Sequence, residues 1–339
     1  MNTTQQTTME IDQPKERNKK KKQFLKKVLN YSKIEVKFGA RNFEVLVFNP
    51  QRHPQGGEVW TILRKQCVVR NSELPDLFGV GYSPSLNVFE RSVVGLSREE
   101  NVGGPYRDRA MKHGKTHEAA CISNFWTHMC KLKNDTTFKE LAKSSPELKP
   151  AGLYVMNITD NLGLDPLKKF SLGVTPDVLI YSTNTNKVIG VMEGKCPFNR
   201  AAAQNPWPKI NWLIQLVMEM VVTGVEYGWV SAYFPASIDQ GSAINIWEVY
   251  LSRDDSLFMD IYIFLCVFFE YCKLINKNGD KIAEYSQQFN TNTAIMKMNI
   301  LKKLGHHSYI KVEPGDVTRG VQIIGEKGRL KTIKHMNLQ

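Results

Sequence analysis

The chain has 339 residues, of which 42% are hydrophobic, 23% charged and 10% aromatic. This composition is typical of globular proteins and excludes collagen-like, coiled-coil and wholly disordered chains. Lys and Arg (45) outnumber Asp and Glu (33) and leave a formal net charge of +12, so we expect an anionic partner such as nucleic acid or a membrane surface. The length predicts one large domain or two modest domains with a sizeable core.

The cysteines and the apolar stretches bear on the cellular compartment. The six cysteines contain no Cys-x-x-Cys pair, which favours reduced thiols in an intracellular, reducing compartment. In the most apolar stretch, residues 257–275, Asp260 and Glu270 leave too few uninterrupted apolar residues to cross a bilayer, so we expect a buried helix and no membrane partner. The N-terminus has no apolar signal-peptide core, and secretion is therefore not expected.

Residues 1–33 form a basic segment with nine Lys or Arg and three Asp or Glu, which supplies +6 of the net charge of +12. The Thr- and Gln-rich opening and the lysine run predict a disordered basic tail. The run from Lys19 to Lys22 is also typical of a nuclear-import signal, which would make the protein nuclear rather than cytoplasmic. A flexible arm that binds phosphates is the third interpretation.

Hydrophobic periodicity and chain breakers predict a succession of strands and helices. Residues 276–339 show only a weak pattern and are predicted to be a C-terminal extension of unknown role. In chain order, the predicted elements before it are a strand-like region at 34–48, helices at 59–69 and 108–129, a polar connector at 143–150, strands at 173–182 and 187–195, a helix at 209–224 and a strand at 228–234.

The two adjacent strands predict a β-hairpin that carries three charged side chains. Period-two alternation puts Glu193 and Lys195 on one face. If the hairpin turns about Thr185, opposed residues have numbers that sum to 370, and Asp177 then lies opposite Glu193. Two opposed carboxylates repel unless a cation lies between them, so the pattern predicts a hard metal ion such as Mg²⁺. The alternative is that Asp177 caps a strand while Glu193 and Lys195 form an exposed ion pair.

The hairpin sequence resembles the signature of a nuclease superfamily. Pro176-Asp177, fifteen further residues and then Glu193-Gly194-Lys195 are similar to the PD-(D/E)xK signature. The ending Lys195-Cys196-Pro197 resembles that of the phage-type recombination exonucleases, the lambda exonuclease and YqaJ-like viral recombinase family.

Further sequence blocks resemble the same family in the same order and extend the similarity over residues 58–235. They are Trp60-Thr61-Ile62-Leu63-Arg64, Asn71-Ser72-Glu73, the Gly79 to Pro84 segment, the helix from Met111 to Glu118, and Gln215 on the apolar helix after the hairpin.

The resemblance implies an α/β fold with a PD-(D/E)xK restriction-endonuclease-like core, a central mixed sheet flanked by helices, and a nuclease domain at residues 34–275. It implies a metal-dependent DNA phosphodiester hydrolase, most simply a 5′-to-3′ double-stranded DNA exonuclease of end processing or recombination, which uses Mg²⁺ and accepts Mn²⁺. The implied partners are double-stranded DNA ends, a single-strand annealing protein and further copies of the chain in a ring trimer. An endonuclease of the same superfamily and a non-catalytic DNA-end-binding protein are the alternatives.

The resemblance also implies roles for individual residues. Lys195 would activate or orient the attacking water. The implied catalytic residues are Asp177, Glu193, Lys195 and Gln215, the metal ligands are Glu118, Asp177, Glu193 and the carbonyl of Gly194, and the residues that bind the phosphate at the DNA end are Arg64 and Ser72.

Two pairs of polar residues on predicted helices each allow more than one interpretation. His113 and His117 have the four-residue spacing at which two imidazoles can share a zinc ion, and histidines that face phosphate or solvent are the other interpretation. Gln215 and Glu219 lie one turn apart on the apolar helix 209–224. A buried polar pair needs partners, which favours an active-site role, at least for Gln215, over a solvent-facing pair.

Overall fold

Two mixed β-sheets carry the fold. The computed structural model describes residues 31–94, 104–131, 145–158, 170–199, 207–237, 241–253, 255–306 and 309–312, so the lysine run of the predicted tail and the end of the chain lie outside the described residues. The strands are β1 (Tyr31–Phe38), β2 (Arg41–Phe48), β3 (Cys67–Arg70), β4 (Pro146–Pro150), β5 (Leu153–Met156), β6 (Phe170–Val174), β7 (Val178–Ser182), β8 (Lys187–Lys195), β9 (Tyr227–Phe234), β10 (Ala243–Tyr250) and β11 (Tyr309–Val312).

The predicted hairpin lies in the interior of one sheet. That sheet has the order β11-β10-β9-β8-β7-β4, and the other has the order β1-β2-β5-β6-β3. Each sheet is mixed because it contains one parallel pair, β8 with β9 and β3 with β6 respectively. The prediction of an α/β fold with a mixed sheet flanked by helices is confirmed, whereas the second sheet was not predicted.

The helices cover both faces of the hairpin. The buried cluster that includes Met192 of β8 also includes Cys121 and Phe125 of helix α4 (Gly104–Lys131). Neighbouring Val191 belongs to the cluster of helix α5 (Ile210–Thr223). Because successive side chains of a strand point to opposite faces, α4 and α5 cover opposite sides of β8. The helices are α1 (Glu58–Lys65), α2 (Leu74–Phe78), α3 (Ser85–Phe89), α4 (Gly104–Lys131), α5 (Ile210–Thr223), α6 (Ser256–Lys277), α7 (Ile282–Asn292) and α8 (Ala294–His306).

Helix α5 lies between the two sheets. It contacts β8 and β9 of one sheet and β1, β5 and β6 of the other. A helix that is apolar nearly all round is expected to be buried on all sides, and the predicted core helix at 209–224 is confirmed. The predicted helices at 108–129 and 257–275 are confirmed as α4 and α6. None of the described helices is long and apolar enough to cross a membrane.

Two sequence predictions merged elements that the structure separates. The predicted helix 59–69 ends at Lys65, and the chain continues as the parallel strand β3, since Val68 and Val69 are β-branched and pair well in a sheet. The predicted strand 173–182 is interrupted at Pro176, which has no N–H for a sheet ladder. Its two halves, β6 and β7, belong to different sheets, which leaves Asp177 at the junction of the two sheets.

The polar connector predicted at 143–150 is wrong over its second half. Residues Pro146–Pro150 form the edge strand β4, which pairs antiparallel with β7. Prolines are tolerated in edge strands because one side of such a strand needs no hydrogen bonds. Ser145, which precedes the strand, has a left-handed φ of 49°.

Residues on both sides of the predicted nuclease domain 34–275 belong to strands and helices of the structure. Strand β1 begins at Tyr31, three residues inside the predicted tail 1–33. Helices α7 and α8 lie beyond residue 275, yet Phe289, Ile300 and Leu304 belong to the same buried cluster as α5 and α6. Residues 282–306 of the predicted extension therefore contribute to the core.

We expect Phe289→Ala to destabilise the whole domain. Phe289 is fully buried, and its ring lies 5.3 Å from that of Phe89 and 5.4 Å from that of Phe264, centroid to centroid. Truncation of a buried phenylalanine costs about 3–5 kcal/mol, which chemical denaturation would measure. The matched control is Ile295→Ala on α8, whose side chain is 72% exposed. Equal stability of the two variants would show that 276–306 is an independent extension.

Candidate active site

The register of the hairpin brings Asp177 beside Glu193. Val178 pairs with Met192, and the next two pairs of β7 and β8 keep the predicted sum of 370. The register then shifts by one residue, so that Ser182 pairs with Lys187 and the turn is not centred on Thr185. A β-bulge of this kind adds one residue to one strand. The predicted register is therefore confirmed at the end of the hairpin that carries the carboxylates.

Asp177 is fixed by the backbone of the opposite strand. Its Oδ2 accepts a hydrogen bond of 2.8 Å from the N–H of Gly194. This contact holds the carboxylate next to Glu193 and Lys195, which share one face of β8 as period-two alternation predicts. The three predicted charged residues of the hairpin are thus brought together.

Lys195 connects the hairpin to helix α5. Its Nζ forms an ion pair with Glu193 and donates a hydrogen bond of 2.7 Å to Oε1 of Gln215. Glu193 is buried, with a side chain only 8% exposed, so the ion pair is not the exposed alternative considered from the sequence. The structure therefore places Gln215 in contact with Lys195, beside the predicted metal ligand Glu193.

The site contains more buried carboxyl groups than positive charges. Burial, followed by repulsion from Glu193, raises the pKa of Asp177 well above its ordinary value. Burial alone would lower the pKa of Lys195, but the charges of Glu193 and Asp177 raise it. One lysine does not neutralise this group of carboxylates, and a cation beside them would relieve the repulsion.

The donor types in this site fit a hard divalent ion. Asp177 and Glu193 offer carboxylate oxygens, and Gly194, between Glu193 and Lys195 in the chain, offers a backbone carbonyl oxygen. Mg²⁺ prefers oxygen ligands of these kinds. Glu118, on α4, is exposed, and its charge contributes to the raised pKa of Asp177. Within the described part of the chain, no three His, Cys, Asp or Glu side chains already form a group arranged to hold a metal ion.

Sequence reasoning gave no role to Asn71 and no definite role to Glu219. Glu219 is 1% exposed, so the solvent-facing interpretation of the Gln215 and Glu219 pair is wrong for Glu219. Burial, and after it the charges of Glu193 and Asp177, raise its pKa well above the ordinary value. Its Oε1 accepts a hydrogen bond of 3.1 Å from Nδ2 of Asn71, which also donates to the backbone carbonyl of Gln215 at 3.0 Å.

The two predicted phosphate-binding residues contact each other. Arg64 Nη2 donates a hydrogen bond of 3.0 Å to Oγ of Ser72, which is exposed. The guanidinium lies over the ring of Trp60, 4.9 Å from its centroid, and the indole Nε1 donates to Oγ1 of Thr175 at 3.3 Å. Thr175 is two residues from Asp177. Trp60, which contacts both Arg64 and Thr175, therefore connects the arginine to the strand region that carries the carboxylates.

A buried charge cluster holds the turn that carries Ser72. Glu73 forms ion pairs with Arg70 and Arg91, and Arg91 Nη2 also donates to the carbonyl of Val68 at 2.7 Å. Burial would raise the pKa of Glu73, but the two arginines hold it below its ordinary value. The charged state of Glu73 is thus stabilised, which fixes the short 3₁₀ turn Asn71–Glu73 against β3.

The two histidines of α4 lie next to each other near the site. The rings of His113 and His117 are 4.5 Å apart, and His113 also contacts the ring of Phe198 at 5.4 Å. The described residues offer these histidines no third side chain in an arrangement that could hold a metal ion. A zinc ion shared by the pair therefore stays a hypothesis that the geometry does not favour.

We expect Asp177→Asn to stabilise the metal-free protein. Asparagine keeps an oxygen for the N–H of Gly194 but removes a charge that burial and Glu193 disfavour. Because folding raises the pKa of Asp177, the wild type should lose stability as the pH rises from about 3.9, the unfolded pKa of an aspartate, through the raised folded pKa.

The measurement is thermal unfolding in EDTA at pH 4 and pH 8. At pH 8 the variant should gain about 1–3 kcal/mol over the wild type, and at pH 4 the difference should be smaller. Addition of Mg²⁺ at pH 8 should stabilise the wild type more than the variant, since a ligand stabilises only a state that binds it. A variant that is less stable than the wild type at pH 8 would contradict the unfavourable burial of a charge at Asp177.

Comparison with known proteins gives a weak structural likeness. No protein-family model matches the chain, and no curated protein gives a significant match. Among solved structures, the alkaline exonuclease LHK-Exo from Laribacter hongkongensis is similar at 15% identity over 74% of this chain and 98% of that chain, with a TM-score of 0.38. The same exonuclease in complex with dAMP is similar at 15% identity over 71% and 100% of the two chains, also with a TM-score of 0.38. A likeness of this size is not evidence of a shared activity.

Proposed function

We propose that the protein is a metal-dependent deoxyribonuclease that degrades double-stranded DNA from a 5′ end. The observation that carries the proposal is the meeting of Asp177, Glu193, Lys195 and Gln215 at the interior strand β8. Two buried carboxylates against each other carry a large desolvation penalty, which one lysine offsets only in part. Such groups cluster where their perturbed pKa values serve a reaction.

Asp177, Glu193, the carbonyl of Gly194 and the side chain of Glu118 would hold Mg²⁺ or Mn²⁺. When bound, the ion would supply stabilisation of the charge that develops on the scissile phosphate. The raised pKa of Asp177 in the ion-free protein supports this assignment, because burial and then repulsion from Glu193 cause it, and a bound cation would offset both effects.

The side chains of the protein would orient the reactants around that ion. Lys195 is charged, since the neighbouring carboxylates raise its pKa, and would hold the attacking water or the phosphate through its Nζ. Gln215 accepts from the same Nζ at 2.7 Å and limits the rotamers available to the lysine. Arg64, with its planar guanidinium, and Ser72 would bind the phosphate of the DNA end.

Labelled DNA substrates test the proposal. Linear duplex labelled at the 5′ end, linear duplex labelled at the 3′ end and covalently closed circles would be incubated with Mg²⁺. We expect early release of the 5′ label, later loss of the 3′ label and intact circles. Nicking of the circles would favour an endonuclease, and binding of ends without cleavage of any substrate would favour a DNA-end-binding protein.

A further inference from the structure

Asn71 joins the two halves of the candidate site. It precedes Ser72 in the chain. Its side-chain amide nitrogen, Nδ2, donates to Oε1 of Glu219 at 3.1 Å and to the backbone carbonyl of Gln215 at 3.0 Å. Gln215 in turn contacts Lys195. Hydrogen bonds to the backbone and the side chain of Gln215, together with the peptide bond between Asn71 and Ser72, therefore connect the predicted DNA-end site to the proposed catalytic lysine.

The geometry points to Asn71 as a positioning residue that, through Glu219 and Gln215, sets the distance from the bound DNA end to the phosphodiester that is cut. This inference rests on the proposed function. Asn71 itself would touch neither the DNA nor the metal ion. Its role would be to determine which bond, counted from the 5′ end, lies at the carboxylates.

Burial makes this connection strong. Asn71 is 7% exposed and Glu219 is 1% exposed, so water competes little for their hydrogen bond. Oδ1 of Asn71 is buried and receives no hydrogen bond from the described residues. A buried acceptor without a donor is costly, and an apolar residue at this position would avoid that cost. The asparagine is therefore better explained by its two donated bonds than by packing.

Both ends of the connection are rigid. On one side, Glu73 is held by Arg70 and Arg91, which fixes the turn that carries Asn71 and Ser72. On the other side, α5 is buried between the two sheets. A displacement of the turn relative to α5 must therefore change the bonds of Asn71, which is the property that a spacing element needs.

The test measures where the enzyme cuts. Wild type, Asn71→Ala and Asn71→Asp would digest a 5′-phosphorylated duplex, and the released products would be separated by length. We expect one dominant product length for the wild type and a broader distribution for both variants. We also expect kcat to fall by about 10- to 100-fold, because a misplacement of about 1 Å can cost that much, while KM changes less than about threefold because Arg64 and Ser72 still bind the end.

A double variant separates positioning from simple damage. Asn71→Asp places a carboxylate against Glu219 and against the carbonyl of Gln215. Its combination with Glu219→Gln restores a donor and an acceptor, with their order reversed, for the contact with residue 219 alone. We expect this combination to give a narrower product distribution than Asn71→Asp alone and to regain part of the lost kcat. The matched control is Asn290→Ala, which removes another long-range asparagine contact, the 2.9 Å bond from Nδ2 to Oγ of Ser85, and should leave the product lengths unchanged.

The outcomes distinguish this inference from the proposed function. An inactive wild type would overturn the proposed function itself. An active wild type whose product lengths are unchanged in folded Asn71→Ala and Asn71→Asp, as judged by thermal unfolding, would overturn the positioning role alone.

Discussion

Asp177→Ala and Glu193→Ala should each reduce DNA cleavage by at least about 100- to 1000-fold, the cost of removing one group that stabilises charge in a transition state. Each substitution removes an oxygen donor that the proposed metal ion needs. Each also removes a negative charge that repels phosphate, so DNA binding should be unchanged or tighter. Cleavage would be measured in Mg²⁺, and binding in EDTA.

A matched control for these variants is Glu147→Ala. Glu147 lies on β4 of the same sheet, where it is partly exposed and forms an ion pair with Lys149 at 2.6 Å. Surface substitutions of this kind usually change stability by less than about 0.5 kcal/mol, and we expect full activity. Near-normal turnover of Asp177→Ala or Glu193→Ala would show that the carboxylate group is not the reaction centre.

Periodicity and hairpin register predict those parts of the site whose residues lie close together in the chain. Glu193 and Lys195 lie two residues apart on one strand, so alternation alone places them together. The register at Asp177 follows from a short hairpin, and it survives the bulge because the shift occurs between Ile180 and Tyr181, nearer the turn. Arg64 and Ser72 are identified by the family resemblance alone, and the structure shows that they make direct contact.

The parts that the sequence misses depend on partners far along the chain. Strand β3 pairs with β6, so that Cys67 lies beside Phe170, and only that pairing reveals that residues 67–70 leave the predicted helix. The hydrogen bond between Asn71 and Glu219 spans 148 residues. Burial of a glutamate on an apolar helix signals that a partner exists, but the pattern does not identify the partner.

The second prediction with a large effect concerns Arg64 and the DNA end. A charge-assisted contact from a guanidinium to a phosphate is worth about 1.5–3 kcal/mol, or about 10- to 150-fold. Arg64→Ala should therefore reduce activity on 5′-phosphorylated linear duplex by that factor and should largely erase any preference over 5′-hydroxyl ends. Arg64→Lys should restore only part of the preference, because an ammonium group lacks the planar fork.

Arg41→Ala is the control for this substitution. The guanidinium of Arg41 also stacks on an aromatic ring, 5.0 Å from the centroid of Tyr262, and donates to a hydroxyl, that of Tyr262, at 2.8 Å. It lies on β2, outside the site, so its loss should change activity by less than about twofold. If Arg64→Ala behaves like Arg41→Ala, and the wild type cuts both kinds of end equally and nicks closed circles, the arginine is not an end-binding residue. The carboxylates would then serve an endonuclease, because a site that accepts internal phosphodiesters needs no contact with a terminal phosphate.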